Sequence, residues 1–150
     1  MKIKQLSVFL ENRPGHLGQV CRTLADAGID IDTMTLADTA EFGILRLIIR
    51  DWEKALAVLQ NAGFTVSAID VMAIQVPDRP GGLSSVLQAA ELAGISVEYM
   101  YAFSRACGCG AMDTAQIVIR FDDLDRACST LAGAGVGIVS ADDFYQNKKK

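Results

Sequence analysis

The chain has one histidine and three prolines, and it lacks the short motifs that most often carry catalysis. There is no Gly-x-Ser-x-Gly elbow, no phosphate loop ending in Gly-Lys-Ser or Gly-Lys-Thr, and no His-Glu-x-x-His stretch. Gly108-Cys109-Gly110 is too short for a dinucleotide fingerprint. The expectation is a protein that is not an enzyme and uses no cofactor. Cysteine is scarce and unpatterned: Cys21, Cys107, Cys109 and Cys128 fit neither a zinc site nor a disulfide framework, so they read as reduced thiols with no metal.

No apolar run approaches the roughly 18 residues that span a bilayer, and Met1-Lys2-Ile3-Lys4 leads into an alternating pattern rather than a signal-peptide core. A cytoplasmic protein without membrane contact is expected. Positive charge is also in short supply, with 14 Lys and Arg against 18 Asp and Glu, so nothing draws the chain to nucleic acid. Only Lys148-Lys149-Lys150 runs against that balance, as a solvated end.

What the chain does have is a copy of itself. Asn12-Arg13-Pro14-Gly15-His16-Leu17 returns 66 residues later as Asp78-Arg79-Pro80-Gly81-Gly82-Leu83, and 8 of 20 positions paired at that offset through Ile31 and Val97 are identical. Each half must then supply the same elements. Two units follow, 1–69 and 70–150, each near the lower size limit for a stable domain. The 51 percent of hydrophobic residues exceeds what such small cores need, which points to burial between units or chains and to a homodimer.

Within each half the pattern reads strand, helix, strand, strand, helix, strand. Leu6, Val8 and Leu10, like Met72, Ile74 and Val76, alternate with their neighbours as a strand does. The Arg-Pro-Gly turn ends that strand and starts a helix, with Leu17, Val20, Cys21 and Leu24 at helical spacing, and Ala27-Gly28 or Ala93-Gly94 stops it. A second strand is placed at Ile29-Asp30-Ile31 and Ile95-Ser96-Val97. A third runs from Ile44 to Ile49, with Leu45, Leu47 and Ile49 matched to Ala115, Ile117 and Ile119 after a four-residue insertion near 106–113. Asp51 and Asp123 are read as N-caps of the second helix, and Phe64–Ala68 and Val136–Ala141 as closing strands. The sum is α+β: two ferredoxin-like β-α-β-β-α-β units with antiparallel sheets and helices on one face. No Gly or Pro interrupts 64–76, so the units are joined without a flexible linker.

A helix start preceded by a glycine turn offers free amides and a favourable dipole to a carboxylate or a phosphate. Its presence at the same place in both copies makes the turns the candidate binding sites. His16, whose copy is Gly82, reads either as an exposed loop side chain or as a ligand contact.

These residues resemble a tandem ACT-domain protein, over residues 1 to 145: a short strand, an Asn/Asp-Arg-Pro-Gly-x-Leu turn, and a helix ending Ala-Gly-Ile, all repeated. The resemblance implies a regulatory module that binds an amino acid where ACT units meet. In the serine-binding ACT unit of phosphoglycerate dehydrogenase the ligand touches an Asn of the turn, an Asn at the start of the second strand, and a His two residues before the turn. Here the turn position holds Asn12 and Asp78, and the strand position Asp30 and Ser96; the His position holds Leu10 and Val76, so serine is not the expected ligand. The implied site is Asn12, Arg13, Pro14, Gly15, His16 and Leu17 with Asp30, and in the copy Asp78, Arg79, Pro80, Gly81, Gly82 and Leu83 with Ser96. The other reading is a regulatory subunit, like the small subunit of acetolactate synthase, that acts on a partner enzyme by contact alone.

Overall fold

The computed structural model describes residues 2–38, 42–103 and 114–146. The chain divides into two compact units: a first, Lys4–Ile69, and a second, Asp70–Lys150 with Met1–Ile3. The first contains all of β1 (Ile3–Glu11) but its opening residue, α1 (His16–Asp26), β2 (Thr33–Asp38), β3 (Phe42–Ile48), α2 (Trp52–Asn61) and the opening of β4 (Thr65–Pro77). The end of β4 opens the second, followed by α3 (Gly82–Leu92), β5 (Val97–Phe103), β6 (Thr114–Phe121), α4 (Leu124–Gly133), β7 (Gly137–Val139) and α5 (Ala141–Gln146).

In the first unit β1 and β2 flank β3, both antiparallel to it, with Val8 opposite Leu45 and Leu36 opposite the same residue. In the second, β4 lies between β6 and β7, and β5 pairs with the far side of β6. The two arrangements follow one plan, because alternation sends the same positions inward. Leu6, Val8 and Leu10 pack under Val20 and Leu24, and Met72, Ile74 and Val76 under Val86 and Ala90. These buried side chains supply the apolar area that stabilises each unit.

The register corrects one alignment. Leu6 pairs with Leu47 and its copy Met72 with Ile119, so Ile117, Ile119 and Phe121 stand where Leu45, Leu47 and Ile49 stand in the first unit. The offset here is 72 rather than 66, a net gain of six residues instead of the four expected. A slip of two residues keeps the inward and outward faces of a strand unchanged, so alternation alone did not reveal it. The insertion near 106–113, with Cys107 and Cys109, lies outside the described residues.

All four long helices end in the same way. Gly28, Gly63, Gly94 and Gly135 take positive φ, and the apolar residue after each returns its N–H to the carbonyl five residues back: Ile29 to Leu24 (2.9 Å), Phe64 to Leu59 (3.1 Å), Ile95 to Ala90 (3.0 Å) and Val136 to Leu131 (2.9 Å). This is a Schellman closure with its apolar contact. It also explains why the second strands begin later than expected, at Thr33 and Val97. Ile29 and Ile95 are buried by their helices' closing turns, so the β-branched residues that looked like strand starts belong to the caps.

The closing strand of the second unit is also shorter than expected. β7 stops at Val139, and α5 takes over from Ala141 because Ser140 caps it: the Ser140 hydroxyl accepts from the Asp143 N–H at 3.0 Å and donates to the Asp143 carboxylate at 2.7 Å. Phe144 of α5 is buried, its ring 5.0 Å from that of Phe103.

Of the two expected N-caps only Asp123 acts through its side chain, accepting from the Arg126 N–H at 3.0 Å; Asp51 makes no side-chain cap bond. Asp123→Ala is therefore expected to cost about 1 kcal/mol in urea denaturation and Asp51→Ala close to nothing. Equal losses at the two positions would contradict this. On the surface of the second unit, Lys2 donates to the Asp125 carboxylate, and that hydrogen bond raises the Lys2 pKa above its ordinary value.

Candidate functional site

Each Arg-Pro-Gly corner is closed by backbone bonds. Arg13 N–H donates to the Glu11 carbonyl at 2.8 Å, and Arg79 N–H to the Pro77 carbonyl at 2.9 Å. Gly15 and Gly81 then take φ of 86° and 85°, in the left-handed region that glycine enters without steric cost, and α1 or α3 begins at the next residue. A Cβ on either glycine would meet nothing within 4 Å, so backbone conformation, not crowding, calls for glycine there.

No side chain caps α1 or α3. His16 N–H and Gly82 N–H bond back to Arg13 and Arg79, and Gln19 and Ser85 to Gly15 and Gly81. Among the described residues no acceptor is found for the N–H groups of Leu17 and Gly18, or of Leu83 and Ser84. These are the first-turn amides that a helix leaves unused.

The two corners differ at one residue. His16 is half-buried; its Nδ1 accepts from the Glu11 N–H at 3.0 Å, and its ring lies against Phe64 with centroids 5.6 Å apart. It is not the freely exposed loop side chain of one reading, but straps the corner and lines the cleft beside it. Gly82, its copy, is buried, and a Cβ there would stand 2.0 Å from the Pro77 carbonyl oxygen. Strand end and helix start therefore approach more closely in the second unit than a side chain would permit.

Asn12, Arg13 and Pro14, and Asp78, Arg79 and Pro80, are exposed, while Leu17 and Leu83 pack partly onto their cores. Asp30 and Ser96 are not brought to the turn of their own unit. β1 and β2 run in the same direction, since both are antiparallel to β3, so the residues leading into β2 lie at the end away from the turn. The 11-residue α1 bridges that distance, about 16 Å of helix. Ser96 is occupied at its own end: its N–H donates to the Asp122 carboxylate and its carbonyl accepts from the Asp122 N–H, both at 3.1 Å.

Beside each corner the structure has a cleft. The first, about 360 Å³, lies between the end of β1, the start of β3 and the Gly63 corner, and is lined by Phe9, Glu11, Arg13, His16, Phe42 and Phe64 among others. The second, about 290 Å³, lies at the copied place, with Gln75, Pro77, Thr114, Gly135, Val136 and Ser85 in its walls. A hollow of about 50 Å³ sits on the β2 side of the first turn, between Asn12, Leu17, Leu36 and Gly43. Sequence reasoning missed Phe9, Glu11, Phe42 and Phe64. The available signal was Phe9 itself, an aromatic at an outward position of β1, and it is 48% exposed. Among the described residues no three His, Cys, Asp or Glu side chains gather as metal ligands, and no helix is long and apolar enough to cross a membrane.

Two β-α-β-β-α-β units with a glycine corner leading into the first helix of each make this a tandem ACT-type protein of the α+β class. The chain belongs to the ACT domain pair family, whose model matches residues 1–146. No curated protein matches it in sequence. Among solved structures it is similar to protein BT0572 from Bacteroides thetaiotaomicron, with 37% identity, 97% of each chain covered and a TM-score of 0.86. It shares its fold with the ligand-free regulatory subunit of aspartate kinase from Thermus thermophilus (17% identity, 90% of this chain and 92% of that one, TM-score 0.61). The corresponding subunit from Thermus flavus gives 16% identity, 90% and 94% coverage, and a TM-score of 0.61.

Proposed function

We propose that the chain is a non-catalytic regulatory protein of the cytoplasm that senses a free amino acid, whose carboxylate sits on the unused amides at the start of α1 or α3. The observation that carries this reading is the repetition of one device: a left-handed glycine, a helix start with no side-chain cap, and an adjoining cleft, in both units. Amides held by a helix favour an anion through direct hydrogen bonds and through the helix dipole. The ACT-pair fold shared with aspartate kinase regulatory subunits supports the regulatory role.

The protein acts as a homodimer in this reading. β2 is an edge strand carrying Met34 at 52% and Leu36 at 47% exposure, an apolar edge that pairing with a second chain would cover. An antiparallel pairing of two β2 edges also brings the start of one β2 to the end of the other. Asp30 of the partner subunit then reaches the turn, which Asp30 of the same unit does not. The same edge favours the second reading, a subunit that regulates a metabolic enzyme by contact without a ligand of its own.

Thermal unfolding with each proteinogenic amino acid tests the proposal. A ligand present at about one hundred times its Kd is expected to add about 2.7 kcal/mol of stability. Gly15→Asp or Gly81→Asp is expected to diminish that ligand-dependent gain. A complete panel without any shift rejects the sensor reading, and a stoichiometric enzyme co-purifying with the chain then establishes the other.

A further inference from the structure

We infer that the amino acid is one with a flat aromatic ring and that it is held by the first-unit cleft alone, one per chain; this rests on the amino-acid reading above and specifies its site. Phe9 is 48% and Phe42 61% exposed, although a phenylalanine ring is favoured out of water, and both border the same cavity of about 360 Å³. That volume falls in the range of small-molecule sites, about 300 to 1,000 Å³. The His16 ring lies tilted at 31° on Phe64 and adds two further ring surfaces to the cleft. Rings of this kind accept another ring by offset or edge contact at about 4.5 to 7 Å between centroids.

The polar partners suit a zwitterion. Arg13 Nε and Glu11 Oε2 are paired at 2.8 Å at the cleft, with both side chains mostly in water, where such a pair contributes little to stability. A zwitterion can open it at small cost. Its carboxylate meets the Arg13 guanidinium beside the α1 start, and its ammonium meets Glu11, giving two charge-assisted contacts in place of one.

The second cleft repeats the position but not the chemistry. Phe9, Phe42 and Phe64 correspond to Gln75, Thr114 and Val136, and Glu11 to Pro77, so both the rings and the ammonium partner are gone. Arg79, the copy of Arg13, does not line the second cleft either. The two-unit chain therefore has one aromatic site.

Titration calorimetry on the full chain tests this with phenylalanine, tyrosine and tryptophan, with alanine, serine, aspartate and lysine, and with 3-phenylpropionate, which has the ring and carboxylate but no ammonium. An aromatic amino acid is expected to bind at one site per chain. Phe9→Ala and Phe42→Ala should each weaken it about tenfold, while the exposed-site control Leu92→Ala should not. Glu11→Gln should weaken the amino acid, which loses its ammonium partner, and should not weaken 3-phenylpropionate, for which it frees Arg13. Binding of a small or charged amino acid that depends on Gly15 but ignores Phe9 and Phe42 overturns this inference and keeps the sensor reading. Two aromatic sites per chain overturn the assignment to the first unit, and no binding by any of these amino acids overturns this inference and leaves the sensor reading to the complete thermal panel.

Discussion

Gly82→Ala is expected to destabilise the second unit by about 3 kcal/mol, at the upper end of what overpacking costs. A Cβ at this position would stand 2.0 Å from the Pro77 carbonyl oxygen and 3.0 Å from its carbon, so the obstacle is backbone at the end of β4 and not a side chain that can rotate away. The Gly82 N–H also closes the turn onto Arg79 at 2.9 Å, and moving it would strain that bond. Gly81→Ala supplies the contrast. There the space is open but φ is 85°, so only the left-handed penalty applies, about 1 to 2 kcal/mol. In the first unit the residue at the place of Gly82 is already a histidine, so His16→Ala should lose only its strap to Glu11 and its ring contact with Phe64. Urea denaturation with far-ultraviolet circular dichroism would order the three as Gly82, Gly81, His16. A Gly82→Ala protein as stable as the parent would show that the strand end and helix start are not held at the observed distance.

The difference between these neighbouring glycines bears on what the sequence could reveal. The Arg-Pro-Gly repeat and the Ala-Gly pairs were legible because a left-handed backbone has a local signature, glycine, at a fixed place relative to a helix end. The core positions were legible for a similar reason, since Leu6, Val8 and Leu10 alternate and Val20 and Leu24 recur at helical spacing. Features set by distant partners were not. The start of β2 was misplaced because Ile29 has the branching of a strand residue but belongs to a helix cap. The length of the insertion was misjudged because a shift of two residues leaves the alternation intact. α5 does have a local signal, Ser140 followed by Asp143, but Ser140 lies inside the apolar run from Val136 to Ala141 that reads as a strand. The cleft was the least visible feature: Phe9, Phe42 and Phe64 come from three separate strands or corners, and nothing in their spacing announces that they border one cavity. The turn residues could be named from the sequence, but their surroundings came only from the structure.

The same residue type therefore serves opposite ends in the two units, and this gives the second large effect. Phe121 is fully buried in the second core, in the cluster that also holds Ile119 and Leu131, and Phe121→Ala is expected to cost about 3 to 5 kcal/mol. Its copy by register is Ile49, also buried, for which Ile49→Ala should cost about 2 to 5 kcal/mol in the first unit. Phe121→Leu keeps most of the volume and should cost less than about 1.5 kcal/mol, so the loss can be followed even if the alanine protein does not fold. Phe9→Ala removes an equally large ring, yet at 48% exposure it should change stability by no more than about 0.5 kcal/mol while it weakens ligand binding. Chemical denaturation and calorimetry on the same set of proteins separate the two roles. If Phe9→Ala were as damaging to stability as Phe121→Ala, the exposed ring would be a packing element of the first unit, and the cleft would lose the side chain on which its preference for a ring depends.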